Sequence, residues 1–340
     1  MSPVGNAGFL VFASFARLID GFIRCMWKRI VHRGGMSQGF MLQGGSMKSK
    51  RRMAVVILLF FLPAAVSLSQ SSLSPKWEEL TGPDFVAAIH QSQGVCVLPF
   101  GIIEKHGPHL PLGTDLLDVR FAVMNAVQQE YAVVFPEYYF GQIFEAQQQP
   151  GTVAYSLGTQ LTLLQETVKE MARNGCKKVV IVNGHGGNES LLPLFAQAQL
   201  ASPRDYVVYV FGLPNKNVPG RPALKSKVDM HAGETETSLM LVARPDLVHM
   251  DRATEESGAD QKRLSGLPGS TYTGIWWYAR FPNHYSGEGA AGNKELGEFD
   301  QKEWSRQIAE AIKAIKADQE SLKLQNQFFE DSQHPLETKQ

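Results

Sequence analysis

From Trp77 onward the chain alternates short apolar runs with amphipathic ones, and this alternation constrains the fold more than any other feature. "GVCVLPFGII" reads as a buried strand, "LLDVRFAVMNAVQQEY" has helical spacing, and "AVVFPEYYFG" is strand-like. "TQLTLLQETVKEMARNG" reads as an amphipathic helix ending at Gly175, with Thr159 as candidate N-cap. "KKVVIVNGHGGN" is a strand entering a glycine turn, "ESLLPLFAQAQLA" the next helix and "DYVVYVFG" the next strand. "ETETSLMLVARP" is a helix stopped before Pro245, and Trp304, Ile308, Ile312 and Ile315 share one face of a last helix. Strands alternating with helices imply βαβ units: an α/β fold with a mainly parallel central sheet covered on both sides. With no internal repeat, one domain is expected over residues 76–325, followed by a polar, frayed tail at 326–340.

The charge is uneven. Residues 1–52 hold nine Lys/Arg and one acid, Asp20, whereas the rest of the chain holds 24 basic and 32 acidic residues. An acidic main domain argues against a nucleic-acid partner, because phosphate binding needs a basic surface. Lys48, Lys50, Arg51 and Arg52 precede the apolar run Met53–Val66 and the small residues around Ser67 and Ser69. Residues 47–70 therefore read as a signal peptide, with an uncleaved membrane anchor as the alternative. Met47 is a natural start for that signal, which makes residues 1–46 an N-terminal extension from a misassigned start, or a membrane-surface helix. The expectation is export to the periplasm or exterior, with membrane contact only through this segment if it is uncleaved. Cys96 and Cys176 lie in or beside apolar runs and are expected to be buried free thiols; no CxxC pattern exists.

Three stretches carry chemistry. In "GIIEKHGPHLPLGTD", Glu104 and His106 are two apart at the end of a strand, which points both to one face. Asp115 follows a loop stiffened by Pro and Gly. Glu, His and Asp suit Zn²⁺ or Mn²⁺, and one carboxylate can bridge two ions. The bland alternative is a structural turn. His109 reads as a supporting or mouth residue, and Asp118 as the beginning of a helix. In "VVIVNGHGGNES", His185 follows a strand end, where open α/β sheets place their sites. Asn183 and Asn188 flank it as supports. A dinucleotide fingerprint fails here because Glu189 stands where the third glycine belongs. In "MHAGETETSLML", His231, Glu234 and Ser238 share one helical face or its approach, while Glu234 and Glu236 cannot face the same way. No P-loop and no GxSxG elbow occurs.

"LPFGIIEKHGPHLPLGTD", "VNGHGGN" and "HAGETETS" together resemble the creatininase (creatinine amidohydrolase) family, in order and spacing, over roughly residues 77–310. The resemblance implies a three-layer α/β/α fold, a binuclear centre of two divalent ions (Zn²⁺, Mn²⁺ or both), hydrolysis of a non-peptide or cyclic amide C–N bond, and a homo-oligomer, commonly a hexamer. It makes Glu104, His106, Asp115 and His185 metal ligands, with Asp115 the bridge, and His231 the catalytic proton shuttle. A small-molecule amide is then the substrate. A non-catalytic, metal-stabilised binding or scaffold protein is the alternative. There are departures. Creatinine-hydrolysing members carry a Glu in the glycine turn that binds the second ion, where this chain has Gly187. Glu234 is the expected replacement, with Glu236 supporting it. No aromatic lies in 222–230 to close the site, and "FEAQQQPGT" lacks the aromatic and His of many relatives.

Overall fold

The computed structural model describes residues 73–337. The signal peptide or anchor, and the extension before it, lie outside the described residues. The elements in order are α1 (Gly82–Gln91), β1 (Val95–Phe100), α2 (Thr114–Ala126), β2 (Val133–Val134), α3 (Leu157–Arg173), β3 (Lys178–Asn183), α4 (Leu191–Ala198) and β4 (Val207–Phe211). Then come β5 (Asp229–His231), α5 (Glu234–Ala243), α6 (Trp276–Arg280), β6 (Ser286–Gly287), α7 (Lys294–Ala317) and α8 (Ser321–Asp331).

Four strands form a parallel sheet in the order β2-β1-β3-β4. The strand period of two sorts its side chains into two cores. Cys96, Leu98, Phe100, Val179 and Ile181 face α1, α3 and α4, packing on Ala88, Leu164, Val168 and Phe195. Val95, Val97, Val180 and Val182 face the other way, against Val119, Val123, Trp304, Ile308 and Ile312 of α2 and α7. Helices on both faces of a parallel sheet make a three-layer α/β/α fold, as expected. β5 and β6 form a separate antiparallel pair. Among the described residues, no helix is long and apolar enough to cross a membrane.

Several local expectations are corrected. The strand expected over 132–141 is hydrogen-bonded as a strand only at Val133–Val134, with a single further bridge at Tyr138. Pro136, which has no N–H to give a ladder, interrupts it. Ser156, not Thr159, caps α3: its side chain accepts from Thr159 N. Asp118 lies inside α2. Cys96 and Cys176 are joined in a disulfide rather than free. The register explains why: Val95 pairs with Lys178, so Cys176 sits just ahead of β3, beside Cys96 on the same core face. The tail is helical through Asp331, and Phe329 is buried.

Candidate metal centre

The sheet's geometry brings the first two motifs together. β1 and β3 are neighbours in register, Phe100 opposite Asn183, so the loops leaving them emerge side by side. Gly184 lets the second loop press on α2, for a Cβ there would lie 2.8 Å from the Asp115 carbonyl oxygen. Glu104 and His106 are fully buried, Asp115 is 4% and His185 6% exposed.

Asp115 stands between two donor groups. Its Oδ1 lies 3.1 Å from His106 Nε2, and its Oδ2 lies 2.8 Å from His185 Nδ1. Glu104 Oε1 is 3.0 Å from the same His185 nitrogen. Glu104, Asp115 and His185 thus offer three converging ligand atoms. His106, His231 and Glu236 offer a second set, and Glu104, His231 and His284 lie close enough to form a third. Glu104 Oε1 and Asp115 Oδ2 are buried, yet neither makes a geometrically sound hydrogen bond. Buried polar atoms of a folded protein are ordinarily satisfied, so oxygens left bare beside an imidazole fit a cation. The donors are all nitrogen and oxygen, which suits Zn²⁺ or Mn²⁺.

Each of three rings is held from behind by a backbone carbonyl. His106 Nδ1 lies 3.2 Å from the Glu104 carbonyl oxygen, His185 Nε2 3.0 Å from that of Gln142, and His231 Nε2 2.8 Å from that of Lys105. This is the outer arrangement that orients metal-binding imidazoles. The acids around them also draw positive charge. Burial opposes a charge on His106, but the Asp115 and Glu104 carboxylates lift its pKa to about 10. Burial likewise opposes a charge on His185, and the same two acids hold it well above the usual range. His231 behaves differently: burial pushes it down to about 3, so it is neutral near pH 7.

Two of the three other residues named as supports lie beside His185 or its anchor. Asn183 Oδ1 accepts from His185 N, and Asn183 Nδ2 donates to the His185 carbonyl. Asn188 Oδ1 accepts from Gln142 N, fixing the residue whose carbonyl anchors His185. His109 lies away from the mouth; its Nε2 is 2.8 Å from Thr237 Oγ1, tying the loop to α5.

The expected fifth ligand is corrected. Glu234 is buried, but its Oε2 accepts from the backbone N–H groups of Lys225 and Ser226, at 2.8 and 2.7 Å, clamping the loop before β5. Glu236 takes the place beside the metal donors, its Oε2 3.9 Å from both His106 Nε2 and His231 Nδ1. Two residues apart on a helix, the two side chains point some 200° apart, and the helix start turns only one inward. The glycine turn has no room for a carboxylate: a Cβ on Gly187 would lie 2.4 Å from His185 Nε2.

Sequence reasoning missed His284, which is 2% exposed. Its Nε2 hydrogen-bonds Glu104 Oε2, and its ring lies 4.3 Å from that of His231. The sole signal was a lone His in "FPNHYSG", which by itself is indistinguishable from a turn residue.

A parallel three-layer sheet with buried carboxylates and imidazoles gathered at its strand ends is a metal-binding α/β architecture of the hydrolase type. The chain belongs to the creatininase family: the family profile described as creatinine amidohydrolase matches residues 78–312. It is 29% identical over 202 residues to creatinine amidohydrolase of Pseudomonas putida, a match covering 53% of this chain and 76% of that protein. It is 33% identical over 171 residues to the mycofactocin precursor peptide peptidase of Mycolicibacterium smegmatis, covering 48% of this chain and 63% of that one. Among solved structures, a mutant creatininase of Zn-Zn type superposes with a TM-score of 0.59 at 23% identity, over 71% of this chain and 97% of that one.

Proposed function

We propose that this protein is a metal-dependent amidohydrolase that cleaves a C–N bond of an amide, using two divalent ions held across Asp115. The observation that carries this reading is the split carboxylate of Asp115, each oxygen facing a different imidazole. Glu104, Asp115 and His185 would hold one ion; His106, Asp115 and Glu236 would hold the other. Bound there, the ions supply Lewis acidity, activating water and polarising a carbonyl. His231 handles the proton. Its Nε2–H is committed to the Lys105 carbonyl, so its Nδ1 lone pair faces the centre, and the ring is 7% exposed. From there it takes a proton and passes it to the leaving nitrogen.

The substrate is a small amide. A cleft of about 470 Å³ lies against Gln142, whose carbonyl anchors His185, and mixes apolar side chains (Phe144, Ile275) and tyrosines (Tyr272, Tyr278) with Glu145 and Gln148. A peptide amide is the second reading, favoured by the likeness to a precursor peptide peptidase. The chain is exported, a reading supported by the buried Cys96–Cys176 disulfide, which persists in oxidising compartments. The test is direct. Elemental analysis should find two divalent ions per chain, and amine release from cyclic amides, formamides and short peptides should vanish on chelation. Protein that takes up no ion, or stays inert on every class, sinks the reading. Thiol titration of exported protein, denatured without reductant, should find no free thiol at Cys96 or Cys176.

A further inference from the structure

Four buried imidazoles surround the carboxylates, and they are anchored in two opposite ways. His106, His185 and His231 each give a ring N–H to a backbone carbonyl. A carbonyl only accepts, so each of these rings, once an ion displaces any second proton, turns a lone pair toward the centre. His284 is anchored by Trp277 instead: the indole Nε1 lies 2.7 Å from His284 Nδ1. An indole N–H only donates, so His284 Nδ1 must accept and the ring proton must sit on Nε2. That Nε2–H meets Glu104 Oε2. His284 therefore shows the centre a donor, where the other three show acceptors.

We propose that His284 is a positioning residue and not a metal ligand: it pins Glu104 through Oε2 so that Oε1 alone is presented to an ion, and Trp277 sets its tautomer. The inference rests on the metal-centre reading above. Glu104 Oε1 is the oxygen left buried and without a hydrogen bond, in reach of Asp115 and His185. Glu104 Oε2 has His231 Nε2 3.9 Å away, too far for a hydrogen bond, so His284 is its donor. His284 also holds a left-handed backbone, φ +55, which residues other than glycine seldom adopt. That conformation turns the ring back between Trp277 and Glu104. The neighbouring Trp277 is buried at 8% exposure, so its indole N–H is spent inside the protein and not on substrate.

The experiment is a zinc titration against a competing chromophoric chelator, resolving both dissociation constants. It compares wild type, His284→Ala, His284→Gln and Trp277→Phe, with ring ¹⁵N shifts of His284 recorded in the zinc-free protein. His284→Ala should weaken one site about 10–100-fold and spare the other. His284→Gln, whose amide N–H can reach the same oxygen, should recover part of that loss. Trp277→Phe keeps the ring packing but not the N–H; it should weaken the same site less and turn the His284 ring from the Nε2–H form into a mixture. Wild-type affinity at both sites in His284→Ala overturns the inference alone. Outright loss of one ion in His284→Ala, with affinities and tautomer unmoved in Trp277→Phe, makes His284 a ligand and also overturns it. A wild type that takes up no ion overturns the metal-centre reading and this inference with it. Should His284→Ala not fold, Trp277→Phe and the ring shifts decide.

Discussion

The centre is assembled from two sides that are built differently. On one side, Glu104, His106 and Asp115 follow the six-residue strand β1, which lies in full register with β3, and none is more than 4% exposed. On the other, His231 ends the three-residue strand β5, and His284 precedes the two-residue strand β6. Ala232 and His284 are both in left-handed backbone, and the Glu236 side chain is 27% exposed. Rigid elements hold ligands accurately, while strained and more open segments gather where protons and substrates are handled. On the proposed reading the sheet side supplies most of the metal donors, while the hairpin side adds Glu236 and handles the proton.

The largest effect should come from the sheet side. Asp115→Asn removes the shared carboxylate, so both ions and all turnover should be lost, read by elemental analysis and an amide-hydrolysis assay. Thermal stability should lose its metal dependence too, because an ion at 100 times its Kd adds about 2.7 kcal/mol to the native state. A variant that keeps one ion would mean the two positions do not depend on a common bridge.

His231→Ala tests the hairpin side. A lost general acid–base group lowers kcat about 10²–10⁴-fold, and both ions should stay. Loss of one ion would move His231 among the ligands, which its place near His106 and Glu236 permits geometrically, and the division of labour would fail.

The paired glutamates sharpen the boundary. Glu236→Gln should drop one ion of two. Glu234→Gln should keep both, and destabilise the fold by about 1.5–3 kcal/mol through its two backbone hydrogen bonds. Denaturant unfolding in excess zinc separates these outcomes.

The smallest effect lies outside both regions. Asp318 Oδ1 accepts from Glu320 N and Ser321 N, and Tyr209 OH donates to Oδ2. Hydrogen bonds from Ser321, Tyr209 and the Glu320 backbone hold its carboxyl well below the usual range. A depressed acid contributes stability above its unfolded pKa, about 3.9, and loses it as pH falls toward the folded value. Protection against hydrogen exchange over 321–331, taken relative to the intrinsic rate at each pH, should therefore fall below about pH 4, and in Asp318→Asn it should already be low at pH 7. Ion content of Asp318→Asn at pH 7 should equal wild type; a change there would tie the tail to the centre.

Much of the sheet side was legible in the sequence. The alternation of apolar runs sets the parallel sheet, and the family resemblance named Glu104, His106, Asp115 and His185, which the structure gathers beyond the ends of two strands. The strands depend on local period-two patterning, whereas Glu104 and His106 lie in the loop beyond Phe100, where that period no longer applies. The Cys96–Cys176 disulfide was not legible, because residues 80 apart meet only through strand register.

The hairpin side shows where the sequence runs out. It established that Glu234 and Glu236 diverge, since helical period requires it, but which of them turns inward depends on how α5 is seated. Lys225 and Ser226 give their N–H groups to Glu234, and that contact belongs to the loop before β5. His284 is 180 residues from Glu104, so no spacing rule joins them. By itself the sequence determined the fold class, the family and the donor types, because these follow from local periodicity and motif chemistry. Only the tertiary structure decided which carboxylate completes the second set and which imidazole donates instead of accepting, because both depend on what lies behind each side chain.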